Sequence, residues 1–464
     1  MLSSHRFHAS LMRAYDVRGI VNLTLFAEDA YYFGQVFATE VFNQTGHATI
    51  CVGYDGRLSS PVLAEALIDG LMASGAEVVP IGLGPTPMLY YAAHQFNANG
   101  GLMITGSHNP PNYNGIKCVI DDRPFFGEQL QGLATMAAAG QWRTHPGGLH
   151  PDASHIATEY TRRLAAEKPQ CHDLKIVWDP GNGAAGNIIE TLVTQLPGTH
   201  TVINATIDGN FPNHHPDPSI HENMLQLINT VRQQGADIGL AFDGDGDRLG
   251  IIDRTGHLWR GDQLAALFAW DIANQSPEAT ILMDVKSSHY LETFLEKQSC
   301  TPLICKTGHS HIKAKMREIK ATFAGEASGH YFFADRYEGY DDGLYAAVRL
   351  LELVGRRKLD LATWYAQLPV TEDSGEVQIA CPEADKITII SKIKHHLVEA
   401  GGKFSDLDGV RVVTSQGWWL IRASNTQAVL IVRVESHDPA SFLRLRQQVT
   451  EMLAKVGLAY PVST

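Results

Sequence analysis

Three aspartates alternate with glycine in the stretch FDGDGDR: Asp243, Asp245 and Asp247. In an extended loop such alternation projects the side chains to one side. Three crowded carboxylates repel one another unless a cation neutralises them, and oxygen donors at this compact spacing favour Mg2+. An EF-hand fails on two counts: its glycine position is held by Arg248 and its glutamate position by Arg254. The apolar runs ADIGLAF and LGIID flank the acids, which argues for a buried strand end over a solvated acidic turn.

A second stretch, TGSHNPPNYNGIKCVI, carries Ser107 between Gly106 and His108. Asn109 and Pro110 each precede a proline and are pushed away from helical angles, while Gly106 is free to take angles other residues avoid. The expectation is a stiff, exposed loop with Ser107 at its tip, then a turn at Asn114–Gly115 and a strand bearing Lys117. A pre-oriented hydroxyl suits a nucleophile, and the lysine suits phosphate binding or proton movement. The plain alternative is a surface serine in a proline-rich turn. No GxSxG elbow is present, which disfavours hydrolases of that type.

Two further loops are polar in a useful way. GEASGH supplies Glu326, Ser328 and His330; a carboxylate two residues from a hydroxyl can bond adjacent hydroxyls of a sugar. RASNTQ supplies Arg422, Ser424, Asn425 and Thr426, a bidentate phosphate grip with hydroxyls and turn amides around it. Each alone reads equally well as a turn. GNGAAG (181–186) matches GxGxxG, but the acid that dinucleotide binding wants at the next strand's end is missing, so it reads as a helix-entry turn. NHHPD (213–217) lacks a matching His/Cys pair for zinc, leaving His214 and His215 as loop residues.

The elements that must position these loops repeat. TICVGYD reads as a buried strand, SPVLAEALIDGLMASG as a capped amphipathic helix and AEVVPIGL as a strand; the order returns at LKIVWDP…HTVINATI and at ATILMDV…TPLICKTG. Each first strand ends in or near an aspartate: Asp55, Asp179 and Asp284. Strand–helix–strand repetition predicts right-handed crossovers and three similar mixed α/β domains with largely parallel sheets. Ligands of such sheets sit beyond the carboxyl ends of the strands, so the polar loops point to one shared cleft; three unrelated α/β domains in a row are the competing reading. After about residue 370, VRVVTSQGWWLIRASNTQAVLIVRVES reads as antiparallel strands and PASFLRLRQQVTEMLAKVG as a closing helix, a smaller α+β domain.

The chain has 464 residues, too many for one core, since cores stop growing at about 250–300 residues. The predicted divisions are 1–150, 151–255, 256–369 and 370–464. A net charge of −13 argues against nucleic acid and anionic membrane as partners, though not against an anionic small substrate. Six scattered cysteines without a CxxC pair, a start lacking a signal-peptide core and no apolar run near the ~18 residues of a membrane span predict a cytoplasmic protein. Oligomeric state stays open between monomer and dimer.

Together AYDVRG, TGSHNP, DGDGDR, KTGHS, GEASGH and RASNT occur in the order found in the α-D-phosphohexomutase family, and the chain resembles its bacterial phosphomannomutase/phosphoglucomutase branch over nearly its whole length. The resemblance implies four domains, the last like the TATA-box-binding protein, in a heart shape around a central cleft. It implies a phosphoserine at Ser107 and Mg2+ held by Asp243, Asp245, Asp247 and a phosphoserine oxygen. Arg18, Lys117 and His309 become candidates for acid–base work, left undivided. Tyr15, His108, Arg248, Lys286 and His330 would line the site, Glu326 and Ser328 would hold the sugar's O3 and O4, and Arg422, Ser424, Asn425 and Thr426 the non-transferring phosphate. The implied reaction interconverts hexose 1-phosphate and hexose 6-phosphate, of mannose or glucose, through a hexose 1,6-bisphosphate that also activates the enzyme. Turning the intermediate within the cleft implies a hinge near residue 370. Ala327 stands where mannose/glucose enzymes often carry Met and glucosamine enzymes Gln, which weakens the sugar assignment; FPNHHPDP and RYEGYDDGLYAA favour the mannose/glucose branch. A phosphoglucosamine mutase, a metal-dependent phosphatase and a non-catalytic sugar-phosphate binder are the rivals.

Overall fold

The computed structural model describes residues 4–150, 153–425 and 427–461. It divides into two compact units. The first takes the chain up to Leu264 together with Ser328–Trp364; the second takes Ala265–Ala327 and the chain from Tyr365 on.

The first unit is built on two sheets. One contains β1 (Val17–Ile20), β2 (Thr49–Tyr54), β3 (Glu77–Leu83), β4 (Gly100–Ile104), β5 (Tyr113–Ile120), β6 (Arg123–Pro124) and β7 (Gly148–Leu149), in the order β1-β5-β4-β2-β3-β7 with β6 beside β5. Pairs β2–β3 and β2–β4 are parallel, while β5 runs antiparallel to both β4 and β1. Helices Ala27–Thr45, Ser60–Ala73 and Glu128–Ala138 cover one face, burying Phe33, Phe37, Leu67 and Leu133 against Ile50, Val52, Leu102 and Ile104. Helix Ser60–Ala73 starts with Pro61 in its first turn, where the missing N–H costs nothing; its expected side-chain cap is not formed.

The second sheet has the order β11-β10-β8-β9, with β8 (Lys175–Asp179), β9 (Thr199–Val202), β10 (Ile238–Phe242) and β11 (Leu249–Asp253). Only the edge pair β10–β11 is antiparallel. β10 is buried along its length, which is why it reads as an unbroken apolar run. Trp178 stacks on Phe242 at 6.1 Å, and helix Leu225–Gln234 packs Leu227, Ile228 and Val231 on one face. Helix Gly343–Arg357 returns to pack against β10 and β11.

In the second unit β12 (Ile281–Asp284) pairs in parallel with β13 (Leu303–Cys305) and β14 (Phe323–Gly325). β15 (Tyr331–Phe333) lies in the part of the chain that belongs to the first unit. An antiparallel sheet follows: β16 (Glu372–Asp373), β17 (Val377–Ala380), β18 (Val410–Thr414), β19 (Gly417–Ala423) and β20 (Val429–Ser436), in the order β16-β20-β19-β18 with β17 also on β20. Helices Lys386–Glu399 and Pro439–Lys455 bury Ile393, Leu445 and Val449 against it. The last helix is well started: Asp438 accepts from Ser441 N at 2.8 Å and Pro439 follows it.

No helix among the described residues is long and apolar enough to cross a membrane. All six cysteines are buried and free; burial pushes Cys51 up to about 12 and Cys171 and Cys300 up to about 11. Thiolates are therefore scarce near neutral pH. Native protein at pH 8 should leave all six unreacted toward a thiol reagent, and denaturant should expose them together, read as absorbance released before and after unfolding.

Candidate active site

The acids come first. Asp243, Asp245 and Asp247 lie in the loop between β10 and β11, each fully buried, with one oxygen apiece inside 4.8 Å of the others. The expected extended alternation is corrected: the loop is a tight turn in which Gly246 takes φ +73°, and this turn is what converges the carboxylates. The segment GNGAAG braces it as the helix-entry turn expected, Ala184 N donating to Gly244 O at 2.9 Å.

Ser107 reaches this loop from the first sheet. Its Oγ donates to Asp243 Oδ2 at 2.8 Å. The expectation of an exposed tip is corrected: Ser107 is 3% exposed, and the left-handed angle falls on Ser107 itself at φ +48°, not on Gly106. A non-glycine residue in that region costs about 1–2 kcal/mol, so its surroundings must hold it there. The acidic loop comes so close that a Cβ on Gly244 would lie 2.5 Å from Ser107 O. The turn expected at Asn114–Gly115 is also corrected, because both residues are inside β5, opposite Gly19 and Arg18. Asn114 instead donates to Ser59 and Ser60.

Lys117, on β5, crosses to the acids. Its Nζ bonds Asp245 Oδ2 at 2.6 Å and also Asp247 Oδ2. Burial opposes its charge, but Asp245 and Asp247 outweigh it and hold the ammonium well above its usual range. Among the acids, burial with the charges of Asp247 and Asp245 pushes Asp243 well up; burial acts likewise on Asp247, but Lys117 and His330 hold it well below the carboxylate range. Arg18 donates to Asp16 Oδ2 at 2.5 Å and to Asn109 Oδ1 at 2.6 Å, tying β1 to the serine loop. Burial and the nearby Arg248 and Arg18 hold His108 well below the ordinary imidazole value, leaving a neutral ring with Nδ1 3.2 Å from Ser107 Oγ. Arg248 N donates to Asp243 Oδ1 at 3.2 Å, His330 Nε2 lies 3.3 Å from Asp247 Oδ1, and Ser328 Oγ lies 3.0 Å from His330 Nδ1. Tyr15 is buried just ahead of β1. The first unit thus brings together Arg18, Ser107, His108, Lys117, the acids, Arg248, Ser328 and His330.

The second unit holds the remaining described candidates. Lys286 Nζ bonds Glu376 Oε1 at 2.7 Å; burial opposes its charge, but Glu376 and Asp284 raise it above its usual range. Glu326 Oε1 accepts from Gly308 N at 2.6 Å and Thr307 Oγ1 at 3.0 Å, beside His309 at the start of helix His309–Ile319. Arg422 Nε donates to Asp408 Oδ2 at 3.1 Å. Ser424 O accepts from the buried Lys386 Nζ at 2.6 Å. Asn425 lines a polar cavity of about 280 Å3 with Lys306, Thr307, His311, Asp408 and Gly409. Thr426 lies outside the described residues.

Sequence reading missed the residues that orient these groups. Thr86 donates to Asp245 Oδ2 at 2.5 Å, and its N–H to Asp245 O at 2.8 Å, from 159 positions away. Asp55 was visible as a strand-end acid without a stated task. The acidic cluster fits a hard divalent cation: its donors are all oxygen, Lys117 and the Arg248 guanidinium 3.9 Å from Asp243 do not balance three carboxylates, and Asp245 Oδ1 is buried with no hydrogen bond to any described residue.

Four family models match the chain in sequence order: the phosphoglucomutase/phosphomannomutase alpha/beta/alpha domains I, II and III at residues 9–143, 155–256 and 260–371, and the C-terminal domain at 376–452. The chain belongs to the phosphoglucomutase/phosphomannomutase family. It is 40% identical to the phosphomannomutase/phosphoglucomutase of Pseudomonas aeruginosa over 98% of this chain and 97% of that one. It is 37% identical to a phosphoglucomutase of Neisseria gonorrhoeae, over 94% and 95% of the two chains. The crystal structure of a phosphoglucomutase/phosphomannomutase family protein from Burkholderia thailandensis superposes with a TM-score of 0.90 at 37% identity, covering 98% of this chain and all of that one. In this phosphohexomutase the expected multidomain α/β fold, with its antiparallel C-terminal sheet, is present.

Replacing Lys117 by Met leaves three buried acids without their ammonium. Breaking a buried pair in this way costs about 3–5 kcal/mol. In EDTA the variant should melt well below wild type, and Mg2+ should raise its melting temperature more than wild type's, read by thermal unfolding with and without the ion.

Proposed function

We propose that this phosphohexomutase interconverts the 1- and 6-phosphates of mannose or glucose through phosphorylated Ser107 and a hexose 1,6-bisphosphate. The observation that carries the reading is Ser107 Oγ at 2.8 Å from Asp243, inside a cluster of three buried acids. Domain divisions near residues 150, 255 and 370 fit the spacing of the matched family models.

Transfer breaks the bond between Ser107 Oγ and phosphorus as a substrate hydroxyl oxygen forms its own; the hydroxyl proton passes to a base, and in the return step Oγ takes the other phosphoryl group. Mg2+, held by Asp243, Asp245 and Asp247, would offset negative charge on the phosphoryl oxygens. Lys117, held charged, suits a proton donor or a partner for those oxygens; Arg18, held by Asp16 and Asn109, suits a fixed cation. His309 stays a candidate base. Neutral His108 suits orientation of the serine hydroxyl. Glu326 and Ser328 would bond sugar hydroxyls, with Tyr15, Arg248, Lys286 and His330 around them. Arg422, Ser424, Asn425 and Thr426 would grip the phosphate that is not being transferred, reversibly, because the intermediate must turn. Sugar phosphates are the proposed partners, and six buried free thiols suit a reducing, cytoplasmic setting.

Ser107→Ala should lose mutase activity almost completely, and mass spectrometry should find phosphate on the wild-type Ser107 peptide after incubation with hexose 1,6-bisphosphate. An unlabelled peptide while isomer accumulates sinks the scheme. Coupled assays with mannose, glucose and glucosamine 1-phosphates separate the rivals: turnover confined to glucosamine reverses the sugar assignment, and phosphate release without isomer points to a phosphatase. EDTA should stop the reaction and Mg2+ restore it.

Arg422→Ala should raise KM more than it lowers kcat, measured in the same assay. An unchanged KM removes Arg422 from phosphate binding.

A further inference from the structure

Arg57 touches none of the acids and none of the candidate substrate groups, yet its side chain is wholly buried. Its guanidinium makes five hydrogen bonds around the serine loop. Nη2 donates to Ser107 O at 2.7 Å and Asn109 O at 2.6 Å; Nη1 donates to Pro110 O at 2.6 Å and Tyr113 O at 3.0 Å; Nε donates to Asp55 Oδ2 at 3.2 Å. Three carbonyls of one loop, and that of Tyr113 at the start of β5, are collected by one planar fork. Of these carbonyls, Pro110 O also accepts Tyr113 N at 3.0 Å.

The other side of Ser107 is pinned through the same pair. Asp55 Oδ2 accepts from Thr105 Oγ1 at 2.7 Å and Gly106 N at 3.2 Å, and Thr105 Oγ1 in turn accepts Ser107 N at 2.8 Å. Gly106 admits the guanidinium: a Cβ there would stand 2.6 Å from its Cζ. The segment after β9 closes on Arg57 from the second sheet's side. A Cβ on Gly209 would lie 2.6 Å from Arg57 Cα, and the guanidinium sits 5.2 Å from the Phe211 ring centroid. One side chain therefore meets both the serine loop and the chain that folds with the acidic loop.

We propose that Arg57 is a positioning residue for phosphoryl transfer: it fixes the left-handed conformation of Ser107 so that the phosphoryl group goes to sugar and not to water. The proposal rests on the reading of Ser107 as phosphoserine. Lysine cannot replace it, because a single ammonium lacks the planar fork that reaches four carbonyls and a carboxylate together.

The test uses the full-length enzyme carrying Arg57→Lys, with Thr105→Val as a second variant that loosens the Asp55 side should the first fail to fold. Circular dichroism and thermal melts establish folding. The expected result is a KM near wild type, a kcat lowered about ten- to a hundredfold as for a misplaced reacting group, and more inorganic phosphate released per isomer formed. In Arg57→Gly, added guanidinium ion should restore part of kcat. A folded Arg57→Lys with wild-type kcat and phosphate release overturns the proposal, as does a rise in KM alone. Wild-type Ser107 is analysed by mass spectrometry in parallel. Phosphate there with unchanged partition in the variants defeats only the role of Arg57, whereas its absence during turnover defeats the phosphoserine reading itself.

Discussion

The first unit is organised around an electrostatic imbalance. Three fully buried carboxylates face one buried ammonium from a different sheet, with the Arg248 guanidinium 3.9 Å from Asp243. Isolated in a low-dielectric interior, the acids would take up protons or force the loop into water. Instead Lys117 holds Asp245 and Asp247, Arg248 N and Ser107 Oγ hold Asp243, and His330 approaches Asp247. These bonds span the two sheets, so the pairing of charges also fixes where the serine loop stands against the acidic loop. The surplus of negative charge is the capacity to accept a divalent ion. An apolar joint of the same size would be stable and could not do this.

A single architectural device serves all three α/β repeats. An aspartate ends or follows the first strand of each, and each accepts hydrogen bonds from a loop that holds candidate site residues or braces one. Asp55 takes Thr105 and Gly106 of the serine loop. Asp179 takes Gly181 N and Asn204, with His214 Nε2 at 3.0 Å. Asp284 takes Thr307 Oγ1 beside the KTGHS loop and Ala327 N in the GEASGH loop. A carboxylate at a strand's carboxyl end has exposed loop amides and hydroxyls within reach, and its acceptor-only character lets it gather several donors at once. His214, read as a loop residue, is a donor to this bracket.

What the sequence made legible follows from which interactions leave a local mark. The strand–helix–strand units and the closing α+β segment were visible because apolar periodicity is local, and the chemical loops because their residue types are unusual where they stand. The conformation of those loops was not visible. Ser107 reads as exposed because a serine beside glycine in a proline-rich loop usually is; it is buried where the acidic loop, 136 positions along the chain, lies against it, so close that a Cβ on Gly244 would stand 2.5 Å from its carbonyl. Thr86 and Arg57 carry no motif: one bonds an acid 159 positions away, the other mostly backbone carbonyls, which every residue has. Asn114 looked like a turn residue and is a strand residue, since its side chain finds Ser59 and Ser60 and its backbone finds β1.

The second unit applies a different logic to its cations. Lys286 is held by Glu376, and Arg422 by Asp408 through Nε, with Nη2 buried and bonded to no described residue. Asp408 also accepts Thr307 N at 3.2 Å, so it is itself fixed. An arginine anchored along one edge has lost much of its rotamer freedom before any anion arrives, and the remaining donors of the fork keep a set direction. Lys386 does the same for the backbone, fastening Ser424 O and Gln427 O at the two ends of the RASNTQ turn. Under the proposed phosphate role, preorganisation of this kind would make the grip specific without making it tight, because the carboxylate partner offsets part of the arginine's charge. The proposed turning of the intermediate needs that compromise: the same anion would have to be held firmly enough to orient the sugar and released readily enough to let it turn.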